Sequence, residues 1–201
     1  MKNTLLIIGA GGHGRVCAEI AELSGYKDIM FLDDRNTPGV KIAGSSADVD
    51  KFIDSADLFV GIGDNQTRCR ISEEILQKGG TIATLIHPDS VVSHTASLGV
   101  GSVVMAGTVI NAGAKIGNGV IINTCSSVDH DCEIGDYSHV SVGAHLAGTV
   151  TLGRFCFVGA GATVINNISV SEKCMVGAGA VMIDNANLEG VYVGVPARRI
   201  K

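Results

Sequence analysis

Every sixth residue from Val92 to Met182 is aliphatic or methionine. The series runs Val92, Leu98, Val104, Ile110, Ile116, Ile122, Val128, Ile134, Val140, Leu146, Leu152, Val158, Val164, Val170, Val176, Met182, with no polar or aromatic exception. Hydrophobic residues make up 46% of the chain, so chance is a poor explanation for an unbroken series. A longer period lies on top of it. Gly99, Gly117, Gly135 and Gly153 follow the aliphatic position once every eighteen residues, with Ser171 in the next slot. The fourth residue after each aliphatic position is small or branched, as at Ala96, Ser102, Thr108, Ala114 and Val120. A hexapeptide period is the signature of a parallel β-helix, and three hexapeptides make one coil, so the run predicts about five coils.

Composition agrees with a narrow solenoid. Aromatic residues are only 4% of the chain and Trp is absent, as expected where stacked Val, Ile and Ala fill each layer. The 27 glycines sit at fixed phases, which argues against disorder. A net charge of −5 argues against non-specific nucleic-acid binding. The six cysteines form no CxxC pair. Cys132, Cys156 and Cys174 share the small-residue phase, which predicts buried thiols in a reducing compartment. No targeting segment is visible, since Leu5 to Ile8 is too short for a signal sequence and a glycine turn follows it. No apolar run is long enough to span a bilayer. The expectation is a cytoplasmic protein without membrane insertion.

Residues 1–87 read as a separate α/β domain. Leu5–Ile8 is a buried strand, Gly9–Gly14 a turn, and Arg15–Leu23 a helix. Ile29–Leu32 is the next strand and ends at Asp33 and Asp34. Ser46–Ile53 predicts a short helix, with Ser46 or Asp48 near its cap. Leu58–Gly63 is a third strand, and Asn65 or Gln66 opens a helix that closes at Gly79-Gly80. Ile82–Ile86 is expected as a fourth strand. Alternating strands and helices imply a parallel sheet with ligands at the carboxyl ends of its strands. Pro88 punctuates the passage into the β-helix domain, residues 88–201. The segment from Val191 to Arg199 is expected to cap the last coil, because a solenoid end exposes an unpaired strand edge.

Two constellations carry candidate chemistry. Gly9-x-Gly11-x-x-Gly14 lies after a strand and before a helix, and Asp33 follows Gly14 by nineteen residues. That is the pattern by which a backbone turn and a helix N-terminus receive phosphate while an acid meets the ribose. The domain is too short for a two-half dinucleotide fold, so a nucleotide or nucleotide sugar fits better than NAD. The plainer reading is a turn that only packs helix on strand. His13 places a polar ring inside the turn. The second constellation runs from Asn123 to Val140 and includes His130 beside Asp131, and His139. A histidine with a neighbouring carboxylate can take a proton near neutral pH. A solvated turn is the competing reading. His94 and His130 fall in one column two coils apart, but the metal-binding β-helical carbonic anhydrases have a third histidine where this chain has Gly135. A tetrahedral site with an open position needs three protein ligands, so no metal is expected.

Taken together, Ile7–Gly14, Phe31–Asp34, Gly61–Asn65, Ser127–Asp131, Ser138–Ala144 and Gly194–Ala197 resemble bacterial sugar acetyltransferases of the sialic-acid O-acetyltransferase (NeuD/PglD) family, most closely its bacillosamine-pathway members. The resemblance covers the whole chain. It implies a Rossmann-like α/β domain followed by a left-handed parallel β-helix, assembled as a homotrimer. Acetyl-CoA would lie between neighbouring helices, and the N-terminal domain would hold a nucleotide-linked amino sugar. Gly11, Gly12 and His13 would contact that substrate, with Asp33 and Asp34 on its nucleoside, Gly63 beside it and Asn123 near the sugar. His130 matches the general base. Asp131 stands where the bacillosamine-pathway member of the family has Glu, and as the shorter carboxylate it would raise the basicity of His130. His139, Ala160 and Ala178 match positions that meet acetyl-CoA, and Gly148 falls where a backbone N–H could face the thioester carbonyl.

The implied reaction is direct acetyl transfer to the sugar 4-amine, UDP-4-amino-4,6-dideoxy-N-acetylglucosamine being the foremost acceptor. Cys125 and Cys132 are near, but a direct transfer needs no acyl-cysteine step. The alternatives are O-acetylation of a sialic acid or other sugar, a GDP- or dTDP-linked amino sugar as acceptor, a non-catalytic nucleotide-sugar-binding trimer, and an NAD oxidoreductase.

Overall fold

The computed structural model describes residues 2–35 and 37–201. The chain divides into two compact units, Met1–Pro88 and Asp89–Lys201.

The first unit is built on strand β1, Thr4–Ile8. Its four apolar residues, Leu5 to Ile8, are at most 1% exposed, as befits a central parallel strand covered on both faces. Helix α1 (Gly12–Leu23) leads to β2 (Asp28–Leu32). Then come β3 (Ile42–Gly44), a 3-10 helix (Ser46–Lys51), β4 (Asp57–Val60) and helix α2 (Asn65–Gln77). The sheet is parallel in the order β3-β2-β1-β4. That is one half of a Rossmann sheet, and its order reverses between β1 and β4, where such sheets bind ligands.

Three sequence expectations change. Helix α1 begins at Gly12 rather than Arg15, because the glycine turn itself supplies its first turn. The fourth strand of the sheet is the short β3. Residues 82–86 do not form it: Thr81 and Ala83 exchange two backbone hydrogen bonds with Leu58, only Ile82 bridges to β4, and Leu85–Ile86 is a two-residue strand outside this sheet. The segment after Ser45 winds as a 3-10 helix, started when the Asp48 carboxylate accepts from Ser45 N at 2.8 Å.

The second unit is a β-solenoid of about six turns, consistent with a left-handed β-helix. Residues eighteen apart stack in register, so Ile116 pairs with Ile134 and Val140 with Val158. One of its faces runs from Val91–Val92 to Val181–Met182 as a six-stranded sheet. Five repeats separate six rungs, which is why the turns outnumber the coils expected from the repeat. The every-sixth residues from Val104 to Met182 form one continuous buried core.

The small-residue phase has its own chemistry. Ser102 Oγ donates to Gly117 O at 2.8 Å, Ser138 Oγ to Gly153 O at 2.9 Å, and Cys132 Sγ to Ala147 O at 3.1 Å. Each small polar side chain thus satisfies a carbonyl fifteen residues ahead that would otherwise be buried without a partner. Cys132, Cys156 and Cys174 are all buried free thiols. Most turns place their second residue in the left-handed region. Glycine takes it at many positions, and Cys125, Asp131, Tyr137, Thr149, Phe155, Asn167 and Lys173 take it elsewhere. At the far end Val191–Gly194 adds in parallel to Met175–Val176, and Ala197–Arg199 folds back antiparallel on it. No described helix is long and apolar enough to cross a membrane.

Candidate functional site

In the α/β unit, the loops after β1 and β4 flank the switch point, and their glycines divide into two sets. A Cβ on Gly14 would collide with the Gly9 carbonyl oxygen, and one on Gly61 would stand 2.8 Å from Gly14 Cα. These glycines let α1 close on the sheet. Gly11, Gly12 and Gly63 have nothing within 4 Å of a would-be Cβ. Their backbone is open to a ligand. The first turn of α1 has no side-chain cap and no acidic residue, so its N–H groups suit a phosphate.

Asp33 and Asp34 lie beside this turn, and both carboxylates are already engaged. Asp33 Oδ2 accepts from Ala10 N at 2.7 Å, and Oδ1 from Arg35 N at 2.8 Å. The Ala10 hydrogen bond is the main reason its carboxyl is held below the usual range. Asp34 Oδ1 accepts from Ser46 N at 2.9 Å and from Ser46 Oγ at 3.0 Å. The pair therefore shapes the rim as well as lining it. Between β1, β2 and α2 opens a cleft of about 450 Å³ lined by Gly9, Asp33, Asp34, Arg35, Ser46, Ile62, Thr67, Arg70 and Ile71. Thr67, Arg70 and Ile71 escaped the sequence reading, although their i, i+3, i+4 spacing puts them on one helix face.

His13 is held neutral. Burial, and then the nearby Arg68 guanidinium, push its pKa down to about 4. Its Nε2 lies 3.7 Å from Cys17 Sγ. Arg68 is 1% exposed and donates through Nη1 to Ile62 O and Gly63 O, each at 3.0 Å. It fixes the loop that carries Gly63. Nothing in the sequence marks it, because an arginine on an amphipathic helix reads as a surface residue.

In the β-helix, His130 and Asp131 share one turn. His130 Nδ1 lies 2.9 Å from Asp131 Oδ2. An ionised carboxylate only accepts, so Nδ1 carries the proton and Nε2 keeps its lone pair. The Asp131 hydrogen bond, chiefly, raises the His130 pKa above its ordinary value. Asp131 has φ +56°, a left-handed backbone that Asp tolerates well. Gly148 is stacked one coil on, directly against the His130 ring: a Cβ there would be 2.5 Å from Nε2. The coil before leaves room for Asp131, because a Cβ on Gly113 would be 2.6 Å from its Oδ1.

Asn123 and His139 form a second pair. Asn123 Oδ1 accepts from Thr124 N at 2.8 Å, which turns Nδ2 toward His139 Nε2, 3.0 Å away. Nε2 is thus the acceptor, and the ring proton sits on Nδ1. The ring is 8% exposed and meets Phe157 edge-on at 5.0 Å between centroids. Ala160 and Ala178 are exposed and stacked through Gly179 N donating to Ala160 O. They belong to the corner of the prism that carries Thr124, whereas His130, Asp131 and Gly148 belong to the next. The structure brings the candidates of each corner together and separates the corners by the strand Ser127–Val128. Among the described residues, no three His, Cys, Asp or Glu side chains group to hold a metal ion. His145 lies on a different sheet from His139, with its Nδ1 2.9 Å from Ser127 Oγ.

Residues 4–75 match the family described as the PglD N-terminal domain. The acetyltransferase domain of PglB from Neisseria gonorrhoeae FA1090 is 38% identical and superposes with a TM-score of 0.96 over 99% of this chain and 100% of that one. The chain belongs to the NeuD/PglD family of bacterial sugar acetyltransferases. Other proteins similar to this NeuD/PglD chain include PerB from Caulobacter crescentus, solved with CoA and GDP-perosamine. PerB is 36% identical, with a TM-score of 0.94 over 98% of this chain and 97% of that one. The UDP-N-acetylbacillosamine N-acetyltransferase of Bacillus subtilis (strain 168) is 36% identical over 114 residues, 53% of this chain and 52% of the relative. The match thus spans about half the length of that curated relative. The PglB domain has also been solved in complex with acetyl coenzyme A.

Proposed function

We propose that this protein transfers the acetyl group of acetyl-CoA to the 4-amino group of a nucleotide-linked amino-dideoxy sugar, with UDP-4-amino-4,6-dideoxy-N-acetylglucosamine as acceptor. The observation that carries the reading is the His130–Asp131 pair, whose geometry leaves Nε2 of an exposed imidazole as a base. The sugar amine attacks the thioester carbonyl carbon while Nε2 takes its proton. The C–S bond then breaks, and the imidazolium returns the proton to the departing CoA sulfur. Amide and free CoA are the products, with no covalent enzyme intermediate. Cys132, buried with its thiol pKa raised by that burial, is a poor candidate for an acyl carrier.

In this reading Gly11, Gly12, His13 and Gly63 meet the nucleotide sugar, Asp33 and Asp34 border its nucleoside, and Asn123 lies near the sugar. His139, Ala160 and Ala178 meet acetyl-CoA, and Gly148 N–H faces the acyl oxygen as an oxyanion donor. A homotrimer, as the family resemblance implies, would bring a corner of one helix against its neighbour. The reaction belongs in the cytoplasm, where acetyl-CoA is available. A second reading, a GDP-linked amino sugar as acceptor, is favoured by the 36% identity to PerB over 98% of this chain.

The test is thiol release from acetyl-CoA across UDP-, GDP- and dTDP-linked 4-amino sugars and free sialic acid, with light scattering for the trimer. His130→Ala should lower kcat by about 10²–10⁴-fold, the usual worth of a general base. Near-full activity in that variant would remove His130 from the mechanism, and turnover of sialic acid alone would replace the amine by a hydroxyl.

A further inference from the structure

We infer that Asn111 and Asp129 act together as positioning residues that hold the turn carrying His130. His130 N donates to Asp129 Oδ1 at 2.7 Å. Asn111 Nδ2 donates to the same oxygen at 2.8 Å from one coil below. Asn111 is itself anchored, its N donating to Val128 O at 2.9 Å. One carboxylate oxygen therefore ties the His130 backbone to the preceding coil, at the residue where the chain leaves the strand and the turn begins.

The fold does not require this pair. The same phase in the other coils is filled by Ser93, Ala147, Ile165 and Ile183. A β-helix that accepts alanine and isoleucine there needs no amide–carboxylate bridge to stack. The bridge occurs where the next residue is His130. Asn123 supplies a local parallel: its Oδ1 holds Thr124 N, while its Nδ2 meets His139 from 16 residues before it, just under one coil. Asp131 locks the His130 ring from one side, and Asp129 locks the backbone beneath it.

Asp129 also sets charge around the imidazole. Its carboxyl is kept ionised below the usual range, first by the Asn111 hydrogen bond and then by His130 N. The charged groups that act on His130 are Asp131 and Asp129, both on its own turn. The turns stacked on either side contribute Ala112 and Gly113 below, and Gly148 and Thr149 above, none of them charged.

The inference rests on His130 being the base, and the test separates the two. Full-length His130→Ala, Asn111→Ala, Asp129→Ala and Asp129→Asn are assayed by thiol release with acetyl-CoA and whichever panel amino sugar the parent protein turns over. Asn111→Ala should lose about 10-fold in kcat and Asp129→Ala about 10- to 100-fold, the scale of a displaced catalytic group, with the acetyl-CoA KM within about twofold. Asp129→Asn keeps an oxygen for both donors, so it should recover most of kcat. It also removes one negative charge, so the acid limb of kcat/KM should move to lower pH. A role in folding alone would lower the melting temperature and leave that limb in place. Should Asp129→Ala be too unstable to assay, Asn111→Ala and Asp129→Asn carry the result. An inactive His130→Ala beside parental kcat in Asn111→Ala and an unmoved limb in Asp129→Asn would overturn the positioning role alone. An active His130→Ala would overturn the base and, with it, the reason for the pair.

Discussion

The His130 imidazole rests against Gly148, eighteen residues further along, with no space between them for a β-carbon. Gly148 does not adopt a left-handed backbone, so the glycine is there for room and not for conformation. Gly148→Ala should therefore fold normally and push the ring aside. A displacement near 1 Å costs about 100-fold in rate. Thiol-release kinetics with a thermal melt check this; parental kcat would mean the ring needs no fixed seat.

Asp131 raises the His130 pKa, and the sign of the pH effect follows. A base works unprotonated, so a raised pKa moves the acid limb of kcat/KM upward, above the ordinary histidine value of about 6.5. Asp131→Asn removes the charge and the fixed Nδ1–H tautomer together. Its limb should shift to lower pH, with the plateau rate down about 10-fold as the base weakens. A pH–rate profile that does not move would show that Asp131 is not coupled to the reacting histidine.

The glycines of the α/β unit should respond oppositely to one added methyl. Gly14→Ala drives a Cβ into the Gly9 carbonyl and should cost about 3 kcal/mol of stability, the upper end of ordinary overpacking. Gly12→Ala meets open space and should leave the melting temperature near the parent value. If a nucleotide sugar lies against that backbone, Gly12→Ala raises its KM and leaves the acetyl-CoA KM alone. Calorimetric melts and two-substrate kinetics distinguish the cases.

The β-helix was legible because its signal is covalent in spacing: a period of six survives any choice among Val, Ile, Leu and Met. The α/β elements were legible where apolar runs were continuous, as in Leu5–Ile8, and poorly legible at Ile42–Gly44, whose three residues leave no pattern to count. Site residues divided the same way. His130, Asp131 and His139 stood out as ionisable groups on an apolar prism. Asn111 and Gly113 did not, and Gly148 was legible only for its backbone N–H and not as the seat of the His130 ring, since these contacts are made with what stands eighteen residues away. The eighteen-residue period, applied to single side chains and not just to the core, would have paired 111 with 129, 113 with 131 and 130 with 148. Arg68 and the rim formed by Thr67 and Arg70 depend on how α2 rolls onto the sheet, which spacing alone does not specify.

A stack of identical rungs has no intrinsic reason to stop, and its last open rung is a template for another copy's first. Here Val191–Gly194 covers the rung at Met175–Val176, and Ala197–Arg199 then runs the other way. The reversal presents an incoming parallel strand with an antiparallel edge carrying Arg198 and Arg199. On this face the stacking of parallel rungs therefore ends in residues that belong to no hexapeptide.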